Sequence, residues 1–202
     1  MILPAPILII TDRTQCAEPL EARAAALFRG GCRWLSVREK DLSSFERYEL
    51  LERLIAVAKP FGAVVGVHDD LDAAIALRIP LHLPADGDVA AARQVLGDVL
   101  LGKSCHDAAE LAAAARDGAD YVTLSPFFPS ASKAGYRTNL NLPAIAAAGA
   151  LPVLALGGVT RETLPQVSGV AGVAIMGEAM RIAESEGWFR SLTTASALSH
   201  TA

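Results

Sequence analysis

The sequence predicts a closed (β/α)₈ barrel, in which each of eight parallel strands is followed by a helical segment. Three observations predict it. Short apolar β-favouring runs alternate with amphipathic stretches eight times along the chain, and parallel strands need such crossover connections. The 202 residues are 52% hydrophobic but only 5% aromatic, and this excess of Ala, Val, Leu and Ile suits helices packed on a parallel sheet. Chemically active side chains also recur just after the predicted strands, the C-terminal face on which barrel enzymes build their sites. An open flavodoxin-like or Rossmann sheet is the rival architecture, but it typically uses about five or six strands. Nothing in the composition divides the chain, so residues 1–202 are expected to form one domain.

Taken in order, residues 7–11 form the first strand, and residues 18–29 a helix with Leu20, Ala24, Leu27 and Phe28 on one stripe, stopped by Gly30-Gly31. Residues 33–37 are the second strand. Ser43 or Ser44 caps the next helix, whose apolar face includes Tyr48, Leu51, Ile55 and Ala58, with Pro60 just past its end. Residues 63–67 form the third strand, followed by a short helix to about Leu77, a brief strand at 81–83 and a turn from Pro84 to Asp88. A helix near 89–96 leads to a strand at 99–101, and Asp107 caps an alanine-rich helix ended by Gly118. Strand 119–124, a helix near 140–148, strand 151–156, a helix from Thr160, strand 170–175 and a final helical region complete the pattern.

Eighteen basic and 22 acidic residues give a net charge of −4, so no global field draws nucleic acid or an anionic membrane, and any anion site must be local. Cys16, Cys32 and Cys105 are odd in number and lack CxxC spacing, which points to a reducing compartment and no zinc knuckle. The apolar start MILPAPILII lacks a basic flank, and no run approaches the length of a membrane span. A cytoplasmic protein is expected. A homo-oligomer is compatible with the sequence.

The strand ends carry the candidate site. Arg38-Glu39-Lys40 is either a solvated charge cluster or, because residues i and i+2 share a side at a strand end, a pair of cations gripping one diphosphate. Asp69 either caps the following helix or ligates Mg²⁺, which takes one or two carboxylates plus phosphate oxygens. His68 is either locally satisfied or part of the site. His106 is either a polar loop residue or a general acid/base. Ser130, Ser132 and Lys133 read either as a surface turn or as two hydroxyls and an ammonium set for a phosphate. Gly157 and Gly158 either turn the chain or let backbone N–H groups approach a phosphate, with Met176 and Gly177 after the eighth strand supplying the other half of the cradle.

The segments VREK (37–40), HDD (68–70), KSCH (103–106), DYVTLSPFFPSASK (120–133), LALGGV (154–159) and GVAIMG (172–177), in this order, resemble the thiamine-phosphate synthase family over about residues 7–180. The resemblance implies a (β/α)₈ barrel that joins hydroxymethylpyrimidine diphosphate to a thiazole phosphate and releases diphosphate with Mg²⁺. It assigns Arg38, Lys40 and Lys133 to the diphosphate, and Ser104 to the pyrimidine and its leaving group. Ser130 and Ser132 stand where the family usually has threonines. Gly158 and the Met176-Gly177 backbone would hold the thiazole phosphate.

The chain also departs from that pattern. Ser36-Val37 replaces the usual Gln-Leu, and His68-Asp69 the usual Asn-Asp. Gly87 stands where a second metal carboxylate is expected, leaving Asp86 and Asp88 beside it. Asp69 and Asp86 are therefore the expected metal ligands. Two other activities fit the same resemblance: a thiazole tautomerase, for which His106 would move protons, and a binding protein that keeps the thiazole-phosphate site without turnover.

Overall fold

A computed structural model describes residues 2–128 and 151–198 of the chain. Eight strands, β1 (Ile7–Ile10), β2 (Trp34–Val37), β3 (Val64–His68), β4 (Leu81–Leu83), β5 (Leu101–Cys105), β6 (Tyr121–Leu124), β7 (Val153–Ala155) and β8 (Gly172–Ile175), pair in chain order. Every pairing is parallel, and β8 returns to β1 through Leu8↔Ala174, closing the barrel. Around it lie α1 (Leu20–Arg29), α2 (Ser44–Ala58), α3 (Leu71–Leu77), α4 (Val89–Leu96), α5 (Ala108–Asp117), α6 (Gly177–Arg181) and α7 (Ser185–Leu198). No described helix is long and apolar enough to cross a membrane.

Strand alternation sorts the side chains into two apolar clusters. Leu8, Ile10, Trp34, Tyr121, Leu154 and Ala174 fill the barrel interior together with Leu100. Their strand neighbours, Ile7, Ile9, Leu35, Val37, Val122 and Val153, join the larger core against the helices. Both faces of a parallel sheet are covered, which is why these strands read as continuous apolar runs. Trp34 and Tyr121 meet edge to face across the interior, with ring centroids 5.0 Å apart. Gly102 makes the room, because a Cβ there would overlap the Tyr121 ring and sit 2.6 Å from His82 Nδ1.

The helix starts follow the expected capping chemistry. Ser43 Oγ accepts from Glu46 N at 3.3 Å while the Glu46 carboxylate accepts from Ser43 N at 2.9 Å, a complete capping box on α2. Asp70, Asp88 and Asp107 cap α3, α4 and α5 in the same way, each accepting from the backbone N–H three residues on.

Three expectations change. The fifth strand runs over Leu101–Cys105 rather than 99–101, because Gly102–Cys105 pair with Tyr121–Leu124; register with two neighbours overrides the poor strand propensity of Gly, Lys and Ser. Ser104 therefore lies within β5, and His68, paired with His82, is the last residue of β3, so neither follows its strand. After Thr160 the chain makes only a 3₁₀ turn, Leu164–Gln166, since Thr160 and Thr163 hydrogen-bond locally and Pro165 follows. The expected apolar face of α2 stands, with Leu51 and Ala58 buried and Tyr48 and Ile55 half-buried against the core, and Leu50 and Leu54 complete it. The expected helix at 140–148 lies outside the described residues.

Candidate active site

At the C-terminal end of β2 the three adjacent charges separate by alternation. Glu39 turns away from the barrel axis and is buried on the helix side, its carboxylate accepting from Thr11 Oγ1 at 2.5 Å and from Arg13 N at 2.9 Å. Arg38 and Lys40 face the other way, into a hollow of about 200 Å³ that Asp12, Thr14 and Asp41 also line. Burial pushes the Asp12 carboxyl up, but hydrogen bonds from Thr14 and Gln15 and the Arg38 charge outweigh it and leave its pKa below the ordinary value. A larger hollow of about 450 Å³ lies between α1 and α2, but Glu18, Glu21, Glu46 and Glu49 outnumber Arg13 and Arg53 around it, which leaves it a poor place for a phosphate.

Below Arg38, the inward positions of β2–β6 form a hydrogen-bonded floor. Ser36 Oγ lies 2.7 Å from His68 Nδ1, and the His68 ring stacks on His82 at 4.4 Å between centroids. His82 reaches Tyr121 Oη at 3.0 Å through Nδ1 and Ser104 Oγ at 3.1 Å through Nε2, with Thr123 Oγ1 3.3 Å away. Burial pushes the His82 imidazole down to about 3. His68 is also held well below its ordinary value, first by burial and then by His82, Arg38 and Lys40. Both rings are neutral at physiological pH.

Asp69 and Asp70 divide the roles that the sequence left open. Asp70 is the buried one: it caps α3 and pairs with Arg47 at 2.6 Å. Asp69 is exposed at the mouth with φ of 53°, a left-handed conformation that a non-glycine residue holds only at some cost. Asp86 is exposed on the β4–α4 turn, where Lys103 Nζ donates to the Gly87 carbonyl at 2.7 Å. Among the described residues no cluster of three or more His, Cys, Asp or Glu is arranged to hold a metal. The second-carboxylate position is thus filled by a glycine whose turn is already braced by an ammonium. A single carboxylate, Asp69, still fits Mg²⁺ if diphosphate oxygens complete its shell.

Farther round the same rim, after β7, Gly157 and Gly158 both have positive φ, 88° and 67°, which L side chains rarely adopt. Thr163 Oγ1 donates to the Gly158 carbonyl at 2.9 Å, fixing the turn. Arg161 N donates to Glu178 at 2.9 Å, joining this loop to the first turn of α6, next to Met176 and Gly177. Arg38 spans the two halves, its Nη1 lying 4.0 Å from Met176 Sδ. The segment after β6 lies along the glycine loop, with Phe127 N and Phe128 N donating to the Leu156 and Gly157 carbonyls at 2.8 and 2.9 Å. Ser130, Ser132 and Lys133 lie outside the described residues. His106 Nδ1 is 2.9 Å from the Ser125 carbonyl, an acceptor only, so that nitrogen carries the proton.

Thus Arg38, Lys40, His68, Asp69, Ser104, His106, Gly157, Gly158, Met176 and Gly177 all sit at or near the C-terminal ends of strands of one barrel. Sequence reasoning gave no role to His82, Tyr121 or Thr123 and met Ser36 only as a departure from the family pattern. Their signal is phase: Trp34, Ser36 and Arg38 alternate on one side of β2, as Tyr121 and Thr123 do on β6.

A family model described as thiamine monophosphate synthase matches residues 7–179. The chain belongs to the thiamine monophosphate synthase family. It is 38% identical to a thiamine-phosphate synthase of Chlorobium luteolum over 198 residues, covering 93% of this chain and 92% of that one. It is 34% identical to a thiamine-phosphate synthase of Anoxybacillus flavithermus over 170 residues, covering 79% and 78% of the two chains. Among solved structures, a thiamine phosphate pyrophosphorylase from Pyrococcus furiosus superposes with a TM-score of 0.87 over 95% of each chain at 23% identity, a likeness of fold.

Proposed function

We infer that this chain is a thiamine-phosphate synthase, a transferase that couples hydroxymethylpyrimidine diphosphate to thiazole phosphate and releases diphosphate. One observation carries the reading beyond family membership: Arg38 lines a cationic hollow with Lys40 and at the same time reaches Met176 beside the glycine loop. Two phosphorylated substrates can therefore lie side by side on one rim.

Arg38 and Lys40 hold the diphosphate and stabilise the charge that develops as it leaves, the largest contribution such a site makes. Lys133 would add a third cation. Ser104 faces the pyrimidine and its leaving group. Backbone N–H groups of Gly158 and Gly177 receive the thiazole phosphate, leaving the thiazole nitrogen free to attack the pyrimidine methylene carbon. Mg²⁺ held by Asp69 and the diphosphate would neutralise further leaving-group charge. A tautomerase would need His106 as its proton carrier, working through Nε2 because the Nδ1–H is given to the Ser125 carbonyl. A cytoplasmic setting accords with three unpaired cysteines, Cys16, Cys32 and Cys105.

The test is incubation with both substrates and Mg²⁺, followed by detection of thiamine phosphate. Isomerisation of thiazole carboxylate phosphate without metal would replace this reading with the tautomerase. Calorimetric binding of thiazole phosphate with neither reaction would replace it with a non-catalytic binder.

A further inference from the structure

The hydrogen-bonded floor of the barrel has a direction, and the direction can be worked out from its buried end. Tyr121 is 1% exposed, set among Leu8, Trp34, Leu154 and Ala174. Its hydroxyl has one partner among the described residues, His82 Nδ1 at 3.0 Å. If the phenol accepted from that nitrogen, its own proton would be left buried without an acceptor, which costs the full desolvation of a hydroxyl. The phenol therefore donates, and Nδ1 is the bare nitrogen of the ring.

A neutral imidazole has one donor and one acceptor, so Nε2 carries the proton. It points at Ser104 Oγ, 3.1 Å away, with Thr123 Oγ1 alongside at 3.3 Å. Thr123 Oγ1 also donates to Ser104 Oγ at 3.4 Å. Ser104 thus accepts from two sides and has no acceptor for its own proton among the described residues. It is half-buried at the mouth, where that proton is available to a ligand.

We propose that Tyr121 and His82 are positioning residues that make Ser104 an obligate hydrogen-bond donor to an acceptor atom of the pyrimidine diphosphate. The proposal rests on the synthase reading for its ligand, but its orientation logic rests on the floor alone. Tyr121 acts at two removes, through the tautomer of His82, and touches no substrate. The glycine at 102 belongs to the same device, because any side chain there would displace both Tyr121 and His82.

The test uses the full chain in two ways. Long-range ¹H–¹⁵N correlation spectra of the labelled protein, assigned against His82→Gln, should show His82 as the Nε2–H tautomer, and Tyr121→Phe should convert it to a tautomer mixture. The Nδ1–H form in the unmodified protein would overturn the proposal, whether or not the protein makes thiamine phosphate. In turnover, Tyr121→Phe should lower kcat/KM for the pyrimidine diphosphate about tenfold, the worth of one net hydrogen bond, with KM for the thiazole phosphate unchanged. Added to Ser104→Ala, the tyrosine change should cost nothing more, because the donor it orients is already gone. Losses that simply add would mean that Tyr121 acts elsewhere and would also overturn the proposal.

Discussion

Lowering the pH from 7 to 5 should cost the folded barrel about 2 kcal/mol through His82 alone. Its folded pKa is about 3 because burial penalises the charged ring, whereas the unfolded chain offers an imidazole near the usual value of about 6.5. A depressed histidine pKa means that the unfolded state takes up the proton first, so stability falls as pH drops below 6.5 and goes on falling until the folded ring titrates. From these two values the linkage contribution is about 0.2 kcal/mol at pH 7 and about 2.1 kcal/mol at pH 5, with a limiting slope of about 1.4 kcal/mol per pH unit. His68 is shifted in the same direction and adds to it. The lowered carboxylates, Asp12 and Glu21, contribute with the same sign only as pH falls through the carboxylate range, so the interval from 6.5 to 5 belongs to histidine. Urea unfolding followed by tryptophan fluorescence at pH 7, 6 and 5 measures it. His82→Gln should remove about one proton's worth of slope. Equal pH slopes in the variant and the unmodified protein would refute the claim that His82 is buried and neutral.

Gly102→Ala forces a Cβ into Tyr121 and His82 and should lower stability by about 1–3 kcal/mol in the same urea assay. Gly158→Val places a branched residue at φ of 67° and should weaken thiazole-phosphate binding more than about tenfold, or 1.4 kcal/mol, by calorimetry. Asp69→Gly should raise stability by about 1 kcal/mol through relief of the left-handed strain while abolishing Mg²⁺-dependent synthase activity; retained activity would remove Asp69 as metal ligand. Ser43→Ala breaks the α2 capping box and should cost about 1 kcal/mol without changing turnover.

The barrel was legible because its signal is local and repeated: apolar runs such as ILII and VVGVH, punctuated by Gly, Pro or capping Asp. The Ser43 and Asp107 caps were readable for the same reason. The end of β5 was not, since Gly102, Lys103 and Ser104 favour a loop until β4 and β6 pair with them. Nor could the division between Asp69 and Asp70 be read from two identical side chains; backbone torsion and the reach of Arg47 decide it. The floor escaped because it joins residues up to 41 positions apart, and each of them alone looks like an ordinary strand residue.

The edge-to-face packing of Trp34 on Tyr121 closes the barrel beneath the polar floor. Among the described residues, a vessel stoppered at its base opens at the other end, where the strands finish. On the synthase reading two substrates and two products share that rim, so their order of arrival and departure is a property that product inhibition would measure.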